Sequence, residues 1–132
     1  MSDTFNRITL DKGVTNRLHK LQQTTGLTPN YLARIGLCYS LNEPRPPSMS
    51  EYNTNGKTIN RSTLLGEHDA LYMALVRQRM LNEGREPEEE LVEYFLAHLN
   101  RGLETLSGRV TDLTDLYELM PQDLKTEEKE AI

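Results

Sequence analysis

Four sets of side chains in this sequence have the types and spacing to do chemistry. Cys38 is the single thiol. A nucleophilic cysteine needs a base and a polar, partly open site. Cys38 instead stands among Ile35, Leu37 and Leu41 with no histidine near it in sequence, so it reads as a small core residue. Glu67-His68-Asp69 offers metal-ligating and acid–base groups. Adjacent helical positions do not face one another, and the trio reads as a polar first turn of a helix. His98 and Arg101, three apart, can share a polar contact or an anion; as a lone pair they read as a surface polar cluster. The fourth set is cationic: Arg7, Lys12, Arg17, Lys20 and Arg34 lie within the first 34 residues, opposed there by Asp3 and Asp11 alone. Cations gathered on one face bind phosphates through charge and counterion release. The same residues could equally be a solvated helix face, and symmetry-related copies would multiply the patch.

Nothing else in the chain has a diagnostic pattern. There is no phosphate loop of the GxxxxGK[ST] form, and no GxGxxG, GxSxG or HExxH. Catalysis, a metal and a cofactor are therefore not expected of this chain. One cysteine cannot form an internal disulfide, and no Cys/His cluster has zinc spacing. No stretch of 18 apolar residues exists, so no membrane span is expected. The N-terminal residues lack a secretory pattern, and the chain reads as intracellular and cytoplasmic. The net charge of −5 is unevenly spread: residues 1–66 carry +4 and residues 67–132 carry −9. One part can attract an anion while the rest repels it, or the basic part of one copy can meet the acidic part of another.

The elements that must position these groups are mostly helical. Arg7-Ile8-Thr9-Leu10 alternates like a short strand, to be paired with residues 57–61 or with the same strand of a second copy. Val14, Leu18, Leu21 and Thr25 form one stripe of a helix over 11–25, capped by Asp11 or Thr9 and stopped by Gly26. Thr28-Pro29 starts a second helix running to about Leu41. It is apolar over most of its circumference, and Gly36 within it suggests the close approach of another helix. Residues 43–60 form a long loop with an Asn55-Gly56 turn. A third helix, over 66–83, is apolar nearly all round and reads as central. Pro87 opens a fourth, to about Gly108, whose first-turn glutamates complement the helix dipole. A short fifth runs over 111–120. The expected architecture is thus an all-α domain of about five helices, with a possible short N-terminal strand, over residues 1–121, followed by a polar tail at 122–132.

The strand–helix–helix order at 7–41 also fits a ribbon–helix–helix, in which Arg7 and Thr9 would enter the major groove. Against both DNA-binding readings stands an assembly subunit, docking a basic partner surface through its acidic 86–93 run.

Two stretches carry a resemblance to a known family. One is Ile8-Thr9-Leu10 leading into Leu18-His19-Lys20-Leu21-Gln22-Gln23-Thr24-Thr25-Gly26-Leu27-Thr28-Pro29-Asn30 and then Arg34-Ile35-Gly36-Leu37-Cys38-Tyr39-Ser40-Leu41-Asn42-Glu43-Pro44. The other is Leu65-Gly66-Glu67-His68-Asp69-Ala70-Leu71-Tyr72, with Gln78-Arg79 and His98-Leu99-Asn100-Arg101-Gly102-Leu103. Over about residues 7–120 the chain resembles DndE, the small subunit of the DNA phosphorothioation (DNA sulfur modification) machinery. The resemblance implies a small helical homotetramer that binds DNA, with a preference for nicked duplex. It also implies no catalysis of its own, and DndC-like sulfurtransferase and DndD-like ATPase partners. The implied DNA contacts are basic residues of the first helix, here Lys20 with Arg17 one turn before. Just ahead of Thr25-Gly26, where the family is usually basic, this chain has Gln22, Gln23 and Thr24. Gly26 and Gly36 would permit close helix approach in an oligomer.

Overall fold

Asp11 nucleates the first helix. Its backbone is extended and its carboxylate accepts from the Val14 N–H at 3.1 Å, one of the donors a helix start leaves unpaired. In the computed structural model, which describes residues 5–119, that helix is α1 (Lys12–Thr25), and it ends at Gly26 with φ 78°, where a side chain would be strained. Ahead of it lies β1 (Arg7–Thr9). After it come α2 (Pro29–Leu41), β2 (Thr58–Asn60), α3 (Arg61–Leu65), a 3₁₀ turn at Gly66–His68, α4 (Asp69–Asn82), α5 (Pro87–Arg109) and α6 (Leu113–Glu118). The expected mostly helical fold is found, with six α-helical segments among the described residues. The expected tail at 122–132 and the end of the last expected helix, Met120, lie outside those residues.

The strand finds its partner within the chain. β1 and β2 are antiparallel with Ile8 opposite Ile59, and Ile8 is fully buried. Of the two partners the sequence allowed, the one at 57–61 is used within the chain. The long loop is held rather than loose. Gly56 N–H donates to the Leu10 carbonyl at 2.8 Å, Lys57 N–H to Thr15 Oγ1 at 2.9 Å, and Asn53 N–H to Asp11 Oδ2 at 3.0 Å.

Burial orders the helices differently from their composition. α5 is the central element: α1, α2 and α4 all pack on it, and Leu91, Tyr94, Phe95, Leu99, Leu103 and Leu106 are fully buried. The helix expected to be central at 66–83 begins at Gly66, φ 59°, as a 3₁₀ turn over Gly66–His68 and continues as α4 from Asp69. α4 buries only Met73, Val76 and Met80 and leaves Leu71, Leu75 and Leu81 exposed. Hydrophobicity without a one-sided stripe shows that a helix has apolar faces, not which neighbour covers them. The same correction applies to Cys38, which is exposed on the outer side of α2 rather than in the core. α2 buries Leu32, Ala33, Gly36 and Leu37 against α5 and turns Tyr31, Ile35 and Cys38 outward.

Candidate nucleic-acid interface

The α1 stripe Val14, Leu18 and Leu21 faces the core, so helical geometry puts Arg17 and Lys20 on the outer side, one turn apart. There α1 lies beside the last turns of α5. Between them is a recess of about 220 Å³ lined by Arg17, Lys20, Leu21, Thr24, Ser107, Val110 and Thr111. Arg17 Nη1 donates to Ser107 Oγ at 3.1 Å, and the Ser107 hydroxyl in turn donates to the Glu104 carbonyl at 2.9 Å. This bond ties one side of the guanidinium to α5. Among the described residues neither Arg17 nor Lys20 is in an ion pair. Two cations, three hydroxyls and an apolar floor from Leu21 and Val110 make a site suited to an oxyanion with an organic substituent. The carbonyl end of α5 brings partial negative charge close by, so both cations are needed to keep the recess attractive to an anion.

The other expected contacts are placed elsewhere. Lys12 is exposed at the opposite end of α1, and Arg7 is exposed on β1. Arg34 serves the fold instead. Its Nε donates to the Leu64 carbonyl at 2.5 Å and Nη2 to the Thr63 carbonyl at 3.2 Å, while its guanidinium lies over Tyr31. It thereby satisfies the carbonyl end of α3. Gly36 admits another helix, as its sequence position suggested, but that helix is α5 of the same chain, at Gly102. Gly26 ends α1 with open space around it. Ser107, Val110 and Thr111 were not legible as partners of Arg17, because nothing local links positions 90 residues apart.

The remaining chemical candidates resolve into structure. Asp69 receives two 2.7 Å hydrogen bonds from Arg61, which also donates to the Phe5 carbonyl. His68 and Glu67 are exposed, and no group of three His, Cys, Asp or Glu side chains that could hold a metal occurs among the described residues. Partial burial pushes the Cys38 thiol up, away from the reactive thiolate.

His98 is the correction here: it is fully buried, not part of a surface cluster. Arg101 Nε donates to Ser40 Oγ at 2.8 Å, and the same hydroxyl is hydrogen-bonded to His98 Nδ1, also at 2.8 Å. The imidazole edge meets the Tyr94 ring, with centroids 4.7 Å apart. Burial, with Arg101 and Arg79 adding to it, lowers the His98 pKa to about 3. The ring stays neutral and cannot shuttle protons near neutral pH. An unfolded chain takes up that proton below pH 6.5 and the folded one refuses it. Stability is therefore expected to fall by about 1.4 kcal/mol per pH unit below 6.5. His98→Asn should flatten the slope between pH 6.5 and 5.5, above the ordinary values of 3.8 for the Asp11 and 4.5 for the Glu83 carboxyls, whose own lowered pKa values act at lower pH. Urea melts across that window decide it, and an unchanged slope would exclude His98 as the source.

Comparison with known proteins extends these local readings. The family model described as DndE, DNA sulphur modification protein DndE, matches residues 7–112. No curated protein matches the chain. Among solved structures, DndE from Escherichia coli B7A, involved in DNA phosphorothioation modification, superposes with a TM-score of 0.65 at 24% identity, covering 77% of this chain and 96% of that one. A glycine-to-lysine mutant of DndE involved in DNA phosphorothioation gives a TM-score of 0.63 at 22% identity, covering 77% and 97%. The two structures share the fold, and the family model spans both the α1–α2 block and the whole of α5. This chain belongs to the DndE family of DNA sulphur-modification proteins.

Proposed function

We propose that this chain is the DNA-gripping, non-catalytic subunit of a DNA phosphorothioation system. In this reading it holds the sugar–phosphate backbone while partner enzymes insert sulfur. The observation that carries it is the recess at Arg17 and Lys20, where two cations outside any ion pair and three hydroxyls line a cleft with room for a phosphate group. Lys20 makes the charge contact, and Arg17, already held by Ser107, offers its remaining donors to the phosphate. Lys12 and Arg7 extend the contact along the backbone. Phosphate contacts position DNA without reading its sequence, so base selection falls to the partners, DndC-like sulfurtransferase and DndD-like ATPase subunits. The resemblance supports four copies working together.

The test is a salt-titrated affinity measurement on nicked and intact duplex, wild type beside Lys20→Ala and Arg17→Ala. Each substitution should weaken binding and make the slope of log K against log salt shallower by about 0.9. Tighter binding to the nicked duplex would support the finer reading. Absence of wild-type binding at low salt would overturn the grip, and would favour a scaffold docking through the acidic 86–93 run.

A further inference from the structure

The Arg17–Lys20 recess is rich in charge and poor in free hydrogen-bond donors. Three hydroxyls line it, and two have committed their protons within the chain. Ser107 Oγ accepts from Arg17 Nη1 and donates to the Glu104 carbonyl. Thr24 Oγ1 donates to the Leu21 carbonyl at 3.3 Å. To a ligand these two present lone pairs rather than protons. Among the described residues, Thr111 is the one lining hydroxyl with no such bond, and its backbone N–H is spent on Asp115 Oδ2 at 2.8 Å. The two cations both stand on α1, whereas the α5 side offers the Val110 methyls and the lone pairs of Ser107. The recess is therefore cationic on one side and apolar and acceptor-rich on the other.

An ordinary phosphate diester suits only one of these sides. Its two non-bridging oxygens are alike, small and strongly hydrated, and each loses water on entry. One is satisfied by Lys20 and the free edge of Arg17. The other, turned to Leu21, Val110 and the hydroxyl lone pairs, is left short of donors, and an unsatisfied anionic oxygen is costly. Sulfur in place of that second oxygen removes the conflict. It is larger, softer and more weakly hydrated, so it gains from apolar contact and loses little where donors are few. The Asp115 carboxylate at the Thr111 edge disfavours a second charge on the ligand, and a linkage inside a strand carries one.

We infer that the recess selects a phosphorothioate linkage over a phosphate one, seating the sulfur against Leu21 and Val110 and the remaining non-bridging oxygen toward Lys20 and Arg17. The inference rests on the phosphate grip proposed above and gives it a direction. The chain holds DNA that already carries sulfur, the product of the partner enzymes, more firmly than DNA still to be modified. A phosphorothioate linkage is chiral at phosphorus, so one of its two diastereomers fits this arrangement and the other turns its sulfur to the cations.

Three thymidine dinucleotides test it, one with a phosphate linkage and two with the separated phosphorothioate diastereomers. A single linkage allows no second register, and the amide signals of Thr24, Val110 and Thr111 report binding at the recess. One diastereomer should bind about fourfold more tightly than the phosphate, the effect of burying one methylene-sized apolar group, and the other no more tightly. Val110→Thr, which sets a hydroxyl in place of a methyl, should bring that ratio down toward one. Thr111→Val should raise it, and carries the test if Val110→Thr does not fold. Equal binding of all three dinucleotides would overturn the selection and leave the phosphate grip standing. A preference for sulfur that neither substitution moves would overturn the seat at Leu21 and Val110. If none of the three shifts the recess signals at millimolar concentration, the recess holds no phosphate, and the grip falls together with the selection.

Discussion

Gly102→Ala is expected to cost more than about 3 kcal/mol, a large share of the stability of a domain this size. Gly36 and Gly102 are where α2 and α5 cross, with backbone against backbone. A Cβ on Gly102 would sit 1.9 Å from the Gly36 carbonyl oxygen and 2.3 Å from its carbon. Neither atom belongs to a side chain that could rotate away, so the helices must separate, and the leucines flanking the crossing lose contact with them. Alanine's helix propensity returns only about 1 kcal/mol. The reverse position is milder: a Cβ on Gly36 meets Gly102 and Leu103 backbone atoms at 3.0 Å, and Gly36→Ala should lose about 1–2 kcal/mol. Urea denaturation reads both as a shift of midpoint at constant slope. Equal stability of Gly102→Ala and wild type would mean that the helices do not cross as described.

Arg101→Ala is expected to have the second largest effect, about 3 kcal/mol. Its guanidinium donates to Ser40 Oγ at 2.8 Å, to the Ser40 carbonyl at 2.9 Å and to the Arg45 carbonyl at 2.6 Å. Each is a charged hydrogen bond, and Ser40 is 2% exposed, so losing the donor leaves its buried polar atoms short of a partner. The loss should be local as well as global, because the bond to Arg45 holds the start of the 42–57 loop onto α5. Limited proteolysis within the loop should quicken before the core melts. Arg101→Lys should recover only part of the loss, since one ammonium cannot span three acceptors in a fork. Lys20→Ala, at an exposed position, should leave stability unchanged, which separates a structural arginine from a ligand-binding lysine.

The features legible from sequence were local ones. Asp11, Gly26, Pro29 and Pro87 set helix ends because caps and stops act over a few residues. The stripe of Val14, Leu18 and Leu21 oriented α1, and so put Arg17 and Lys20 together on its outer side before any tertiary contact was known. The blocks around Thr25-Gly26 and His98–Leu103 carried the family. Relations between distant residues came from packing: β1 pairs with β2, Arg17 meets Ser107, and Arg34 spends its donors on the end of α3. Packing also made His98, beside an arginine, buried and neutral. The largest difference is in α2 and α4. Composition there showed apolar faces, and composition cannot show what covers a face. That depends on which helix packs where, and α5, with its glycine at the crossing, takes the centre and leaves the outer sides of α2 and α4 uncovered within the chain.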